Sequence, residues 1–255
     1  MLNAVILAGS SKIGELEEQE NVDNKAFIKV NHLSALEAVL ETLRGVRGLE
    51  KIVIVGPEDK LEEVREKGYQ FEITPQWDNL IDNIAAGLER MDPQKPCVAM
   101  SADIPLLTAE AVEDFVERCE PFNHDFYYPV ISKEVYQTKF PQGDRTYVPL
   151  REGVYTGGNL MIIKPYWLLE KLDEIHKYVS YRKRPWKLVR TLPLSLIVKF
   201  LCKRLQIHEL ENYMSKLLGI QAKVVETPYV DIGVDMDKPA DLKLIKEVVD
   251  LSNET

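Results

Sequence analysis

Short apolar runs alternate along this chain with stretches of helical period. Residues 3–7, 51–55, 71–74 and 97–100 are short, largely apolar segments bounded by glycine, proline or polar residues, and they predict strands, the first two of them buried. Between them the period lengthens. Ser34 caps a predicted helix whose Leu36, Val39, Leu40 and Leu43 share one face and which stops near Gly45. A charged amphipathic helix follows over 58–67, with Gly68 as its stop, and residues 78–91 form another, with Leu80, Ile81, Ile84 and Leu88 inward. Thr108 caps the next. Residues 15–23, acidic and without periodicity, read as a mobile extension of the loop after the first strand, and 25–30 as a short extended segment.

Strands alternating with helices in this way predict an α/β fold: a Rossmann-like, mostly parallel sheet with helices on both faces. Ligands of such sheets sit outside the carboxyl ends of the strands, so the loop after the first strand and Asp103, after the fourth, are expected on one edge. The second half is less regular. Strands are expected at 126–131, 147–150, 158–163 and 222–226. A helix starts at Pro165 with Leu168, Leu172, Ile175 and Val179 on one side, and another, carrying Leu210, Tyr213, Met214, Leu217 and Leu218, ends at Gly219. A turn over 230–239 leads into a last helix from Ala240. The whole is expected to be a single domain, 1–255, with a helical basic insertion at about 166–221.

Composition narrows the classes. With 255 residues and 45% apolar side chains the chain has enough material for a core of its own. Its formal charge of -9 argues against nucleic acid as a partner, because such binding needs a net basic surface. Cys97, Cys119 and Cys202 have no metal-ligand spacing and read as reduced core thiols. The early first strand leaves no room for a signal peptide and no run reaches the length of a membrane span, so the expected compartment is the cytoplasm. One stretch departs from the average: residues 182–204 carry eight basic residues and no acidic ones around an apolar centre. Two readings stay open for it, an insertion packing over a pocket or a partner subunit of a homo-oligomer, and peripheral contact with an anionic membrane.

The first loop carries chemistry. After Leu7, Ala8 and Gly9 come Ser10, Ser11, Lys12 and Gly14; small residues let backbone N–H groups converge on an anion, and a lysine adds full charge. An ordinary strand-to-loop turn explains the stretch alone equally well. Its order relative to other features is more specific: a lysine, Lys25, before the next short segment, then Asp103-Ile104-Pro105 after the fourth strand, then Asp237-Lys238-Pro239-Ala240-Asp241-Leu242 before the last helix. This arrangement resembles the MobA-like nucleotidyltransferases, the group containing molybdenum-cofactor guanylyltransferase, methylerythritol-phosphate cytidylyltransferase and many sugar-phosphate nucleotidyltransferases. Ser10 replaces a glycine usual there, Lys12 an arginine, and residues 74–79 lack the Gly-Pro-Leu-type turn of the guanylyltransferases.

The resemblance implies a nucleotide-diphospho-sugar transferase type of fold and transfer of a nucleoside monophosphate from a triphosphate, GTP or CTP, to a phosphorylated small-molecule acceptor, with release of pyrophosphate. It implies Mg2+ as cofactor, held by Asp103 with Asp237 or Asp235, of which Asp237 is favoured by its match and only one is expected to face the ion. Lys12 and Lys25 would neutralise the triphosphate. Leu7 to Ser11 would cradle it, and Asn79 and Asn83, one helical turn apart, would face base or ribose, although asparagine is also a common cap. Gly157, Gly158 and Asn159 would let the acceptor approach the backbone closely, and Arg145 and Arg151 would bind its phosphate. A non-catalytic nucleotide-binding protein of the same fold and a metal-dependent glycosyltransferase are the alternatives.

Overall fold

The computed structural model describes residues 2–9, 13–180 and 192–253. The first half follows the apolar pattern closely. β1 (Leu2–Leu7) leads through a short helix α1 (Glu15–Gln19), a 3-10 turn (Lys25–Phe27) and the small hairpin β2 (Lys29–Val30) and β3 (Leu33–Ser34) into α2 (Ala35–Gly45). Ser34 caps α2 by accepting from the Glu37 amide, and Glu37 returns a carboxylate to the Ser34 amide at 2.7 Å, so two otherwise orphaned N–H groups are satisfied at once. Next come β4 (Leu49–Gly56), α3 (Glu58–Glu66), β5 (Glu72–Pro75), α4 (Leu80–Leu88), β6 (Cys97–Ser101) and α5 (Ala109–Cys119).

The second half runs β7 (Phe126–Ser132), α6 (Lys133–Lys139), β8 (Val148–Pro149), β9 (Val154–Gly157), β10 (Leu160–Ile163), α7 (Pro165–Glu170), α8 (Leu172–Ser180), α9 (Leu194–Leu201), α10 (Ile207–Leu218), β11 (Ala222–Glu226) and α11 (Pro239–Asn253). Among the described residues nine strands form one sheet in the order β5-β4-β1-β6-β10-β7-β9-β8, with β11 pairing alongside β7. The β5-β4-β1-β6 block and the β7–β11 pair are parallel ladders, whereas β10 runs antiparallel to both β6 and β7. The sheet is mostly parallel and flanked by helices.

Three packed regions hold this together. One face of the sheet buries Ala4, Ile6, Ile54, Val98 and Met100 against Leu36, Leu40 and Leu43 of α2 and Phe115 of α5. The opposite face packs Val5, Val53 and Val55 on Ile81, Ile84 and Leu88 of α4, together with Trp167 and Leu168 of α7. Each fully buried leucine or isoleucine contributes about 1.5–3 kcal/mol. A third cluster joins Leu16, Ile28, Met236, Leu242 and Ile245, and so ties the segment before α11 to the region around α1.

Several expectations are corrected. Residues 15–19 are a helix, because Gly14 serves as its cap, Glu17 reaches back to the Gly14 amide at 3.1 Å, and Leu16 is buried. Residues 25–27 form a 3-10 turn rather than extended chain. The helix expected over 78–91 spans only Leu80–Leu88, after the extended Asn79 cap, and Leu80, its first residue, is exposed rather than inward. The helix expected from Pro165 breaks at Lys171. Cys97 and Cys119 are buried thiols, but Cys202 is exposed just after α9. The basic segment 182–204 lies partly outside the described residues. Its described part includes α9, which buries no side chain and exposes Leu194, Val198 and Leu201 at helical spacing.

Candidate active site

The parallel ladders set the site. Leu7 is in register with Val55 on one side and Ser101 on the other, so the chain leaves β1, β4 and β6 at one level. The exit from β1 is pinned by backbone bonds: Ala8 N–H donates to the Val55 carbonyl at 2.8 Å, and Asn24 Nδ2 donates to the Ala8 carbonyl at 2.6 Å. Asn24 is buried and also accepts the Ala26 N–H, which fixes the 3-10 turn and with it the backbone of Lys25. Gly9 emerges exposed beyond this clamp. A Cβ there would meet Asn83 Nδ2 and Gln76 Oε1 at 3.1 Å, so the missing side chain makes room for two amides. α4 brings Asn83 that close because Gly87, one turn later, has no Cβ to collide with Val5.

Lys25 is the centre of the charge arrangement. Its Nζ lies 2.8 Å from Asp103 Oδ2 and 2.5 Å from Asp237 Oδ1. Burial opposes the ammonium charge, but the two carboxylates outweigh it and hold Lys25 protonated well above its ordinary range. Asp103 is buried, takes a hydrogen bond from the Ser101 hydroxyl, and has its carbonyl bonded by Met236 N–H at 3.0 Å. That last bond draws the segment preceding α11 against the end of β6. Within the segment Val234 and Met236 turn into the core while Asp235 and Asp237 turn out.

Both aspartates therefore face one cavity, which corrects the expectation that only one does: residues two apart on an extended segment share a side. They differ in partners. Asp237, whose side chain is largely exposed, joins Lys25; partial desolvation opposes its charge, but the ammonium holds it below the usual carboxylate range. Asp235 pairs with Arg145 instead; burial, with Asp237 and Asp103 nearby, raises its pKa in spite of that guanidinium.

The cavity holds about 460 Å³ and brings together Arg145, Gly157, Gly158 and Asn159 with Tyr128, Tyr136, Asp144, Lys238 and Asp241. Arg145 also donates to the Gly157 carbonyl at 3.0 Å, and Lys238 pairs with Asp144. A second, narrow cavity of about 50 Å³ is lined by Leu7, Ala8, Gly9, Asn24, Lys25 and Asp103. The first loop and Asp103 thus share a wall, and the Lys25–Asp237 pair spans from this cavity to the larger one.

Other expected residues fall elsewhere. Ser10, Ser11 and Lys12 lie outside the described residues. Asn79 is exposed and caps α4, accepting the Asp82 N–H at 3.0 Å, so of the two asparagines Asn83 alone adjoins the loop. Arg151 is exposed away from the cavity, its amide bonded to the Leu205 carbonyl at 2.8 Å. Gly157 and Gly158 do not leave open space: a Cβ on the first would collide with the Tyr128 hydroxyl and on the second with Ile232 and Pro129. Pattern reading passed over Asn24, Ser101, Tyr128, Tyr136 and Asp144. Asn24 had one sequence signal, its place beside Lys25.

A parallel sheet whose strand ends gather a small-residue loop, a lysine and converging carboxylates beside a polar cavity defines a nucleotide-handling transferase. The sequence matches the MobA-like NTP transferase domain over residues 4–206, and the chain belongs to that family; it is a nucleotidyltransferase. No curated protein matches it. Among solved structures it is similar to a hypothetical transferase from Thermus thermophilus, with 33% identity over 94% of this chain and 98% of that one and a TM-score of 0.82. The fold is also that of CMP:2-keto-3-deoxy-manno-octonic acid synthetase complexed with CTP, at 13% identity, 98% and 99% coverage and a TM-score of 0.64. A 4-diphosphocytidyl-2C-methyl-D-erythritol synthase from Anaerococcus prevotii shares it at 14% identity, 98% and 96% coverage and a TM-score of 0.60.

Proposed function

We propose that the protein transfers a nucleoside monophosphate from a nucleoside triphosphate, CTP or GTP, to a phosphorylated small molecule, releasing pyrophosphate. The observation that carries this reading is the Lys25 ammonium held between Asp103 and Asp237 where the narrow cavity at the β1 loop meets the 460 Å³ cavity. In this reading the triphosphate lies along the β1 exit, with Gly9 at its phosphates and Asn83 toward the nucleoside, and the acceptor lies in the larger cavity. CTP in the distant structural relative supports a pyrimidine donor.

The donor set fits Mg2+. Two carboxylates converge on the one point that the Lys25 ammonium now occupies, and Mg2+ is commonly held by one or two carboxylates plus substrate phosphates and water. Among the described residues no group of three or more His, Cys, Asp or Glu side chains is placed to hold a metal, so substrate phosphate and water would have to complete the shell. Asp103 and Asp237 would hold it, and when bound it supplies charge neutralisation between the phosphates.

The chain's own residues do the rest. Lys25 places positive charge at the phosphates, Arg145 offers a guanidinium to the acceptor, and Asn159 lines the larger cavity with a buried Nδ2 that has no partner among the described residues. An ionised acceptor phosphate oxygen attacks the α-phosphorus, the new P–O bond forms, and the bond to pyrophosphate breaks. Such a nucleophile carries no proton to remove, so no general base is required; positioning and charge suffice. The whole chain acts as one transferase domain, and the exposed stripe on α9 contacts a second subunit or an anionic membrane. Pyrophosphate release from each triphosphate, with Mg2+ and a panel of phosphorylated acceptors, tests the reading. Release dependent on both acceptor and metal is expected, and none with any pair overturns it.

A further inference from the structure

We infer that Lys25 holds the place of the divalent metal in the nucleotide-free protein and yields it only to a metal that arrives with a triphosphate. The inference rests on the proposed role of Asp103 and Asp237 as metal ligands. One ammonium sits 2.8 Å from an oxygen of the first and 2.5 Å from an oxygen of the second. Mg2+ needs oxygens at about 2.0–2.1 Å, hence both carboxylates drawn around nearly the same point. A divalent ion and an ammonium repel each other strongly there, so one must leave.

Only the side chain is free to go. The Lys25 backbone is fixed by the turn, in which Ile28 N–H donates to the Lys25 carbonyl at 3.1 Å and the Asn24 side chain accepts from Ala26 N–H. The side chain is about a quarter exposed, and it lines the same narrow cavity as Gly9 and Asp103. A triphosphate against the β1 loop gives the displaced ammonium new anionic partners within its reach. A bare metal ion displaces it and gives it none.

Two consequences follow from this exchange. Without nucleotide the two carboxylates stay neutralised and assembled, and free metal binds weakly. With nucleotide, metal and triphosphate enter as one charge-balanced unit, and Lys25 becomes a ligand of the phosphates. Lys25 is in this sense a positioning residue before substrate arrives and a phosphate ligand afterwards.

Mn2+ binding followed by electron paramagnetic resonance tests this without turnover. In the absence of nucleotide, Lys25→Met is expected to bind Mn2+ roughly tenfold or more tighter than the wild type, and Lys25→Arg, which keeps the cation, as weakly as the wild type. With CTP or GTP present the order reverses, the wild type binding Mn2+ more tightly than Lys25→Met. Melting temperature gives a second readout, since Mn2+ alone should raise that of Lys25→Met and not that of the wild type; Lys25→Gln serves if the methionine variant does not fold. Equal affinity of Lys25→Met and wild type for free Mn2+ overturns the inference. If the wild type nonetheless binds Mn2+ with a triphosphate, the proposed function stands; if no triphosphate promotes Mn2+ binding, both fall.

Discussion

The two sides of the site are built by different means. On the proposed nucleotide side, positions at the strand ends are set largely by backbone: parallel register brings Leu7 level with Ser101, and Ala8 donates to the Val55 carbonyl, with the Asn24 side chain as the one added clamp. On the acceptor side they are set by side-chain ion pairs between separate loops, Arg145 with Asp235 and Lys238 with Asp144. A ladder of backbone bonds tolerates almost any side chain of suitable size, whereas a cavity made of charged pairs changes character with each substitution.

The largest expected effect breaks the side on which the chemistry turns. Asp103→Asn removes a charge that faces Lys25, and the rate of nucleotidyl transfer should fall by about 10²–10³-fold, as for loss of one preorganised charge-stabilising group. Arg145→Ala tests the other side. It leaves the half-buried Asp235 without its guanidinium, and acceptor KM should rise about tenfold, worth roughly 1.4 kcal/mol, while the melting shift given by triphosphate stays unchanged.

Gly157→Ala is a packing test. The added methyl meets the Tyr128 hydroxyl, so unfolding free energy should drop by about 1–3 kcal/mol, and Tyr128→Phe in the same chain should return part of it. The pH dependence follows from the central triad. Lys25 is raised, so its contribution is complete below the ordinary lysine value and is lost as pH climbs through the folded one; Asp237 is lowered, so its contribution is complete above the ordinary aspartate value and is lost as pH falls. Denaturant midpoints from about pH 3 to 11 should therefore show the difference between wild type and Lys25→Met flat across neutral pH and beginning to shrink only below about 3.9 and above about 10.4. The smallest effect is expected from Arg151→Ala, which lies off the cavity and should leave acceptor KM within twofold, roughly 0.4 kcal/mol. Co-sedimentation with anionic liposomes at low salt tests the membrane reading of the α9 stripe, and no binding removes it.

The same contrast explains what could be read from the amino acids alone. Buried parallel strands are short apolar runs, so β1, β4 and β6 and the edge shared by Gly9 and Asp103 were legible, as were the edge strand β5, of which only Thr74 is buried, and caps such as Ser34 and Thr108. The helix at 15–19 was not, because it is only five residues long and its single anchor, Leu16, is buried by α11 and not by a repeating face of its own. Lys25, Asp103 and Asp237 were found through their order along the chain. Arg145 was found as a cation near glycines, but nothing local distinguishes it from Arg151; their fates are decided by which end of the β8–β9 hairpin each approaches. Tyr128 was missed because a tyrosine on a strand reads as core, and its hydroxyl acquires meaning only where Gly157 makes space for it.

The most direct test of the central claim, that the β1 loop, Lys25, Asp103 and Asp237 together grip a metal–triphosphate, is the melting temperature of the wild type and Asp103→Asn with each of the four triphosphates and Mg2+. At a hundredfold excess over Kd, binding adds about 2.7 kcal/mol, or a rise on the order of 5–10 °C for a chain of this size. The expected result is such a rise for CTP or GTP with Mg2+ in the wild type and little or none in Asp103→Asn. No rise with any triphosphate, or an equal rise in the two proteins, would contradict it.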